Sequence, residues 1–257
     1  MIDSLFQDIS GLLRLMPSIF VSLLNFFACL ITIFIADRFF KYAGLCCYIA
    51  LSSIIANIQV LYATSYEGLN MSVLLGTVIF CSSFLACDII NEKYGAECAR
   101  KAVYLAILTD IFFLLNIILT IGHKPLDYTV YENFSISKQT MDANIGAIKQ
   151  LFLPIPRLLT ASYATYLISQ LTEIWSFNAI KKVTLIKSAY IKHNLSLFLS
   201  SVVLDTFIFT FLGICLLSDE PLSFRDFIEV SFSAIVIRVL CNLGNTAFMK
   251  RFIFQRP

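Results

Sequence analysis

The chain has 257 residues, 58% hydrophobic and 14% charged, with a mean hydropathy of +0.82. A soluble domain carries roughly a quarter charged residues, so this composition excludes an ordinary soluble globular protein. A net charge of +2 without a long basic run excludes a nucleic-acid surface.

A spanning helix needs about 20 mostly apolar residues. The N-terminus opens with Asp3 and Asp8 rather than basic residues, and its apolar run outlasts a signal-peptide core, so it is expected to stay as the first membrane segment. Residues 15–36 supply that segment between Arg14 and Asp37, and 42–66 supply a second between Lys41 and Glu67. A third, 70–90, meets Asp88 only at its end. The fourth, 102–122, contains Asp110; the fifth, 151–176, contains Arg157 and Glu173. The sixth, 195–217, surrounds Asp205, and the seventh, 228–249, surrounds Arg238. The pattern predicts an all-α, polytopic helical membrane protein with one domain over 1–257. It has six or seven transmembrane helices, seven being preferred.

Lys and Arg set the orientation. Twelve of the nineteen fall at alternate loops, around 38–41, 93–101, 181–192 and 250–256, against five on the other side. This bias places the C-terminus in the cytoplasm. The loop 123–150 is the longest on the outer side and is a candidate cap for a substrate cavity. Eight cysteines scatter through apolar runs without a CxxC pair, as small packing residues rather than a disulfide framework or zinc site.

A mid-helix Asp or Arg costs about 2.5–3.5 kcal/mol on insertion scales, so it survives facing protein or water. At 1.5 Å per residue, Asp110, Asp205 and Arg238 each lie about 14–15 Å deep, near the midplane. Asp205 and Arg238 sit on consecutive antiparallel segments and can pair with each other. Asp110 has no obvious partner. On the fifth segment Arg157, Ala161, Thr165, Ser169 and Glu173 recur every four residues, beside Ser162, Tyr166 and Gln170. Close helix packing and a polar cavity wall both fit this double stripe.

No GxxxxGK[ST], HExxH or GxSxG motif occurs, which sets aside the corresponding nucleotide-, zinc- and serine-dependent chemistries. No metal, cofactor or catalytic residue is expected. The motif present is Asp88-Ile89-Ile90-Asn91-Glu92-Lys93-Tyr94-Gly95, followed by Arg100. By itself it reads as a helix terminus in which Lys93 and Arg100 satisfy Asp88 and Glu92, and Gly95 turns the chain.

This run resembles the signature of the queuosine precursor transporter family, formerly the putative vitamin uptake family. The resemblance continues through Arg157, Ser162, Tyr166, Gln170 and Glu173, then Asn194, Ser196, Ser200, Asp205, Thr206 and Phe209, and covers most of 70–250. It implies an inner-membrane importer of 7-deazaguanine bases or queuine for salvage into tRNA modification. Asp205 or Glu173 would accept from the guanine-like edge of the base. Gln170, Asn194, Arg157, Arg238 and Asp110 would assist, with Tyr166 and Phe209 stacking on the ring. Asp88, Asn91, Glu92, Tyr94, Gly95 and Arg100 would form a gate or fold staple. A homodimer, proton coupling, an ATP-driven uptake complex with this chain as substrate-binding subunit, and a non-transport membrane enzyme stay open as alternatives.

Overall fold

The computed structural model describes residues 2–66, 71–127, 137–153, 155–181, 202, 205–212 and 223–252. Apolar runs become helices because a bilayer offers no partner to backbone N–H and C=O groups, and a helix satisfies them within its own segment. In chain order these are α1 (Ile2–Arg14), α2 (Ser18–Ile35), α3 (Lys41–Gln59), α4 (Gly76–Tyr94) and α5 (Ala96–Gly122). There follow α6 (Lys138–Phe152), α7 (Ile155–Lys181), α8 (Asp205–Phe209) and α9 (Phe224–Phe252). An antiparallel hairpin, β1 (Ala63–Tyr66) with β2 (Met71–Leu74), lies between α3 and α4, in register from Ala63↔Leu74 to Tyr66↔Met71.

The hairpin corrects two expected boundaries. Helix 42–66 stops at Gln59, and helix 70–90 begins only at Gly76 and runs on to Tyr94. Hydropathy reports apolarity and not backbone state, and Thr64, Tyr66 and Val73 suit a half-buried strand. At the start of the chain, Pro17 at the N-cap of α2 separates α1 from the first predicted span. Leu5, Phe6, Ile9 and Leu12 of α1 are exposed. The 123–150 loop is partly helical: Ser137 Oγ caps α6 by accepting from the Thr140 N–H at 3.2 Å, and α6 packs on α5 and α7. The sixth predicted segment, 195–217, lies largely outside the described residues.

Among the described residues, three stretches are long and apolar enough to cross a membrane: Ser18–Gln59, Ala96–Gly122 and Phe227–Met249. The first has 42 residues, about 63 Å of helix and roughly twice the ~30 Å hydrocarbon core of a bilayer. It folds back on itself at Lys41, whose φ of 53° is the one positive value among described non-glycine residues. Contacts at the two ends confirm the reversal. At one end Thr64 Oγ1 donates to Ser18 Oγ at 3.1 Å, and the Leu75 N–H donates to Tyr62 O at 3.1 Å. At the other, Lys93 Nζ donates to both Asp37 oxygens at 2.7 and 2.6 Å, and the Tyr42 and Tyr94 rings meet at 5.5 Å.

Helix α4 is the hub. Every residue from Cys81 to Asn91 is buried, and α4 packs on α2, α3, α5, α7 and α9. Leu45 and Ile49 of α3 join Leu85, Ile89 and Ile90 of α4 in the main apolar core. Gly76 permits the close approach of α3, since a Cβ there would collide with the Ala56 carbonyl oxygen. Gly95, at φ +89° and ψ 165°, turns α4 into α5, a conformation that is essentially open to glycine alone and costs a residue with a Cβ about 1–3 kcal/mol. By contrast, α5 presents Tyr104, Leu108, Phe112 and Leu115 outward. Helices α4 and α7 are not among the three apolar stretches because their polar residues face the interior of the bundle rather than lipid.

Candidate functional site

Where the hairpin ends of α3 and α4 meet α7, α8 and α9, the packing leaves a cavity that is open at its mouth. Asn57 of α3, Val60 at its C-cap, Val73 and Leu74 of β2, and Phe80 of α4 form one side. Ser162 of α7, Asp205, Thr206, Phe209 and Thr210 of α8 and its continuation, and Ala234 and Arg238 of α9 form the other. The lining is mostly apolar with a few converging polar groups, the usual composition of a small-molecule site.

Its chemistry is concentrated at the inner end. Arg238 Nη1 donates to Asp205 Oδ2 in a salt bridge buried on both sides. The same guanidinium stands 5.7 Å from the centroid of the Phe80 ring. Removing two charges from water costs several kcal/mol per ion, and pairing offsets this only where geometry and further hydrogen bonds are good. The Ser169 hydroxyl lies beside the Asp205 carboxyl, adding a polar neighbour from α7. Asp205 and Arg238 thus meet as their depths on consecutive segments suggest.

Behind the ion pair the polar file of α7 continues into the core. Ala161, Ser162, Thr165, Tyr166, Ser169, Gln170 and Glu173 are all buried, so the described members of both rows of the fifth predicted segment face protein. The Tyr166 ring packs edge-on against Phe80 at 5.5 Å and Phe84 at 6.5 Å, which makes it a support for the cavity wall. Gln170 is wholly buried, and both ends of its amide lack a hydrogen-bond partner among the described residues. One turn further, the Glu173 carboxyl meets that of Asp88 on α4. Beyond them Asn178 Nδ2 reaches Asn91 Oδ1 at 3.5 Å and donates to Ile174 O at 2.6 Å.

Several expectations change. Asp88 is not a helix-end residue satisfied by Lys93: α4 continues past it, and it is 2% exposed and turned toward Glu173. Lys93 instead grips Asp37, and Arg100 is exposed. Asp110 does have a partner, because Ser53 Oγ on α3 donates to its Oδ2 at 2.6 Å, and it lies outside the cavity lining. Tyr94 packs on Tyr42 at the Lys93 end, away from the cavity. The described part of the 123–150 loop does not line the cavity. Phe209 does line it, whereas Gln170, Glu173 and Tyr166 lie behind it. Asn194 and the side chain of Arg157 fall outside the described residues.

Sequence reasoning passed over Asn57, Phe80, Thr206 and Thr210 as cavity residues, and Ser53 as the partner of Asp110. The available signal was uncharged polarity. Ser52, Ser53 and Asn57 recur along one face of an otherwise apolar helix and are all buried, and a search for charges alone does not see them. Nothing in the sequence marks Phe80 among twenty-four phenylalanines.

Comparison with known proteins gives this geometry a family. A protein of Bacillus subtilis (strain 168) named probable queuosine precursor transporter is 29% identical over 199 residues, covering 76% of this chain and 79% of that protein. No solved structure matches. Residues 74–252, from β2 to the end of α9, match the family described as putative vitamin uptake transporter. That span contains the α4 run, the α7 file and the Asp205–Arg238 pair, and the apolar helices around them fit a multi-pass protein of the cell membrane. The chain belongs to the family described as putative vitamin uptake transporter.

Proposed function

We propose that this protein imports a 7-deazaguanine base or queuine across the cell membrane for salvage into tRNA modification. The observation that carries the reading is a buried carboxylate, Asp205, at the inner end of an apolar cavity with an aromatic wall. A guanine-like base presents a ring N–H and an exocyclic amine on one edge, and a single carboxylate can accept from both. In this reading Asp205 takes that edge while Arg238 holds the carboxylate in place. Phe80 and Phe209 enclose the faces of the ring, and Asn57, Ser162, Thr206 and Thr210 offer further polar contacts. Glu173, behind the cavity and against Asp88, is left out of the direct contacts.

The matching relative, named probable queuosine precursor transporter, supports the substrate class. Seven spans with a cytoplasmic C-terminus agree with the grouping of Arg38, Lys41, Lys93 and Lys101 at the end of the bundle opposite the hairpin, and this orientation opens the cavity outward. Cells unable to synthesise the precursor test the proposal. Expression should restore queuosine in tRNA at low external precursor, and Asp205→Asn should abolish the uptake while leaving the protein in the membrane. Failure of the natural sequence to restore modification would refute the cargo, and a fully active Asp205→Asn would remove Asp205 from the site.

A further inference from the structure

The substrate reading uses Asp205 and leaves a second buried acid site unexplained. Asp88 of α4 and Glu173 of α7 are each 2% exposed, and their carboxyls meet. An ionised carboxylate only accepts hydrogen bonds, so two carboxyls can bond to each other only when one of them holds a proton. Two like charges in contact cannot comfortably both ionise away from water. The surroundings are built for a polar occupant. Gln170, one turn before Glu173, has both amide ends without a partner among the described residues, and Asn91, one turn after Asp88, has its Nδ2 in the same state. Both residues are at least nine-tenths buried.

The place of the pair in the fold gives it a direction. Phe80 at the cavity and Asp88 are eight residues apart on α4, about 12 Å of helix. Asp205, Ser169, Glu173, Asp88, Asn91 and Asn178 therefore mark a polar file from the cavity to the opposite end of the bundle. Among the described residues, the titratable groups near the pair include Glu92, Cys81 and Cys87 on α4, Cys46 on α3, Tyr166 on α7 and Asp205 on α8. Among the described residues, Arg238 is engaged with Asp205 and Lys93 with Asp37.

We infer that the Asp88–Glu173 pair is the proton-carrying site of this carrier, shared between α4 and α7 and separate from the base-binding carboxylate. One carboxyl keeps the proton while the helices are packed as seen. Movement of α7 against α4 parts the pair and releases the proton to the side then open. The inference rests on the transport reading above and adds the ion that drives it.

Purified protein in liposomes, with the membrane potential clamped at zero, tests this with a labelled neutral 7-deazaguanine base. One proton per neutral substrate supports about tenfold accumulation per pH unit, with matching acidification of a pH dye trapped inside. Glu173→Gln and Asp88→Asn should lose gradient-driven accumulation, falling to a ratio near one, while exchange of internal for external base continues. Glu173→Asp, which keeps two carboxyls, should retain part of the accumulation. Should Asp88→Asn fail to fold, judged by size-exclusion profile, the two Glu173 variants decide. Undiminished accumulation in Glu173→Gln would overturn the assignment. Wild-type uptake without proton movement would overturn it and leave the carrier reading standing. Absence of both exchange and uptake by the wild type would overturn the carrier reading itself, and the assignment with it.

Discussion

Arg238→Met isolates what the buried ion pair contributes. The substitution preserves much of the side-chain volume but leaves Asp205, 1% exposed, without its cation. Breaking a buried pair from one side costs about 3–5 kcal/mol, because an uncompensated charge stays behind, a factor of roughly 10² to 10³ or more at 1.4 kcal/mol per decade. Replacing both members by apolar residues removes that penalty, so Arg238→Met with Asp205→Leu should recover most of the lost stability. The assay is thermal unfolding in detergent micelles, followed by the fraction of monodisperse protein on size exclusion after heating. Arg238→Met should lose its folded peak at a clearly lower temperature than the double variant, while base uptake is absent from both. A double variant as fragile as the single one would refute the reasoning, since the damage would then be lost packing rather than an orphaned charge.

Three further substitutions probe other parts of the molecule. Ser53→Ala removes the 2.6 Å donor to Asp110 and should destabilise by about 1–3 kcal/mol with the KM for uptake unchanged; a KM raised about tenfold or more would bring Asp110 into the binding site. Phe80→Ala deletes an aromatic wall of the cavity, and with base stacking worth about 1–3 kcal/mol it should raise KM by roughly 5- to 150-fold; an unaltered KM would place the base elsewhere. Asp37→Asn weakens the clasp on Lys93 that closes the end opposite the hairpin, so maleimide should label Cys98, which is partly buried near Tyr42, faster than in the wild type. Equal labelling rates would show that the clasp does not control access there.

The parts of this molecule legible in the sequence are those with a one-dimensional signature. Apolar length locates α2, α5 and α9, and the recurrence of small and polar residues every four positions identifies the inward face of α7, because a helix brings such residues onto one side. The depths of Asp205 and Arg238 could be counted along their segments, and pairing followed from antiparallel neighbours. Contacts between distant segments were not legible in the same way. Lys93 appears bound to satisfy Asp88 because the two are close in the chain, yet the structure gives Lys93 to Asp37, fifty-six residues away, and turns Asp88 inward. Adjacency in sequence favours the nearer partner, whereas burial decides by which face of α4 meets α7. The hairpin at 63–74 was hidden for a related reason, since residues apolar enough for a span are also good strand formers.

The buried polar residues of the two most central helices have a functional consequence. A helix facing lipid can carry few polar residues, since each unpaired one costs free energy in hydrocarbon. Helices α4 and α7 are screened by α2, α3, α5 and α9, so they can hold Asp88, Asn91, Gln170 and Glu173, whereas α5 keeps its one buried acid, Asp110, on its inward face. The cavity lies where that screened pair meets α8 and α9, and one ring, Phe80, touches the guanidinium of Arg238 on one side and Tyr166 on the other. Any displacement of α7 relative to α4 therefore disturbs the aromatic wall and the Asp88–Glu173 contact together. A base seated against Phe80 and a proton held by the acid pair would both depend on one helix–helix interface, which is the physical requirement for coupling them.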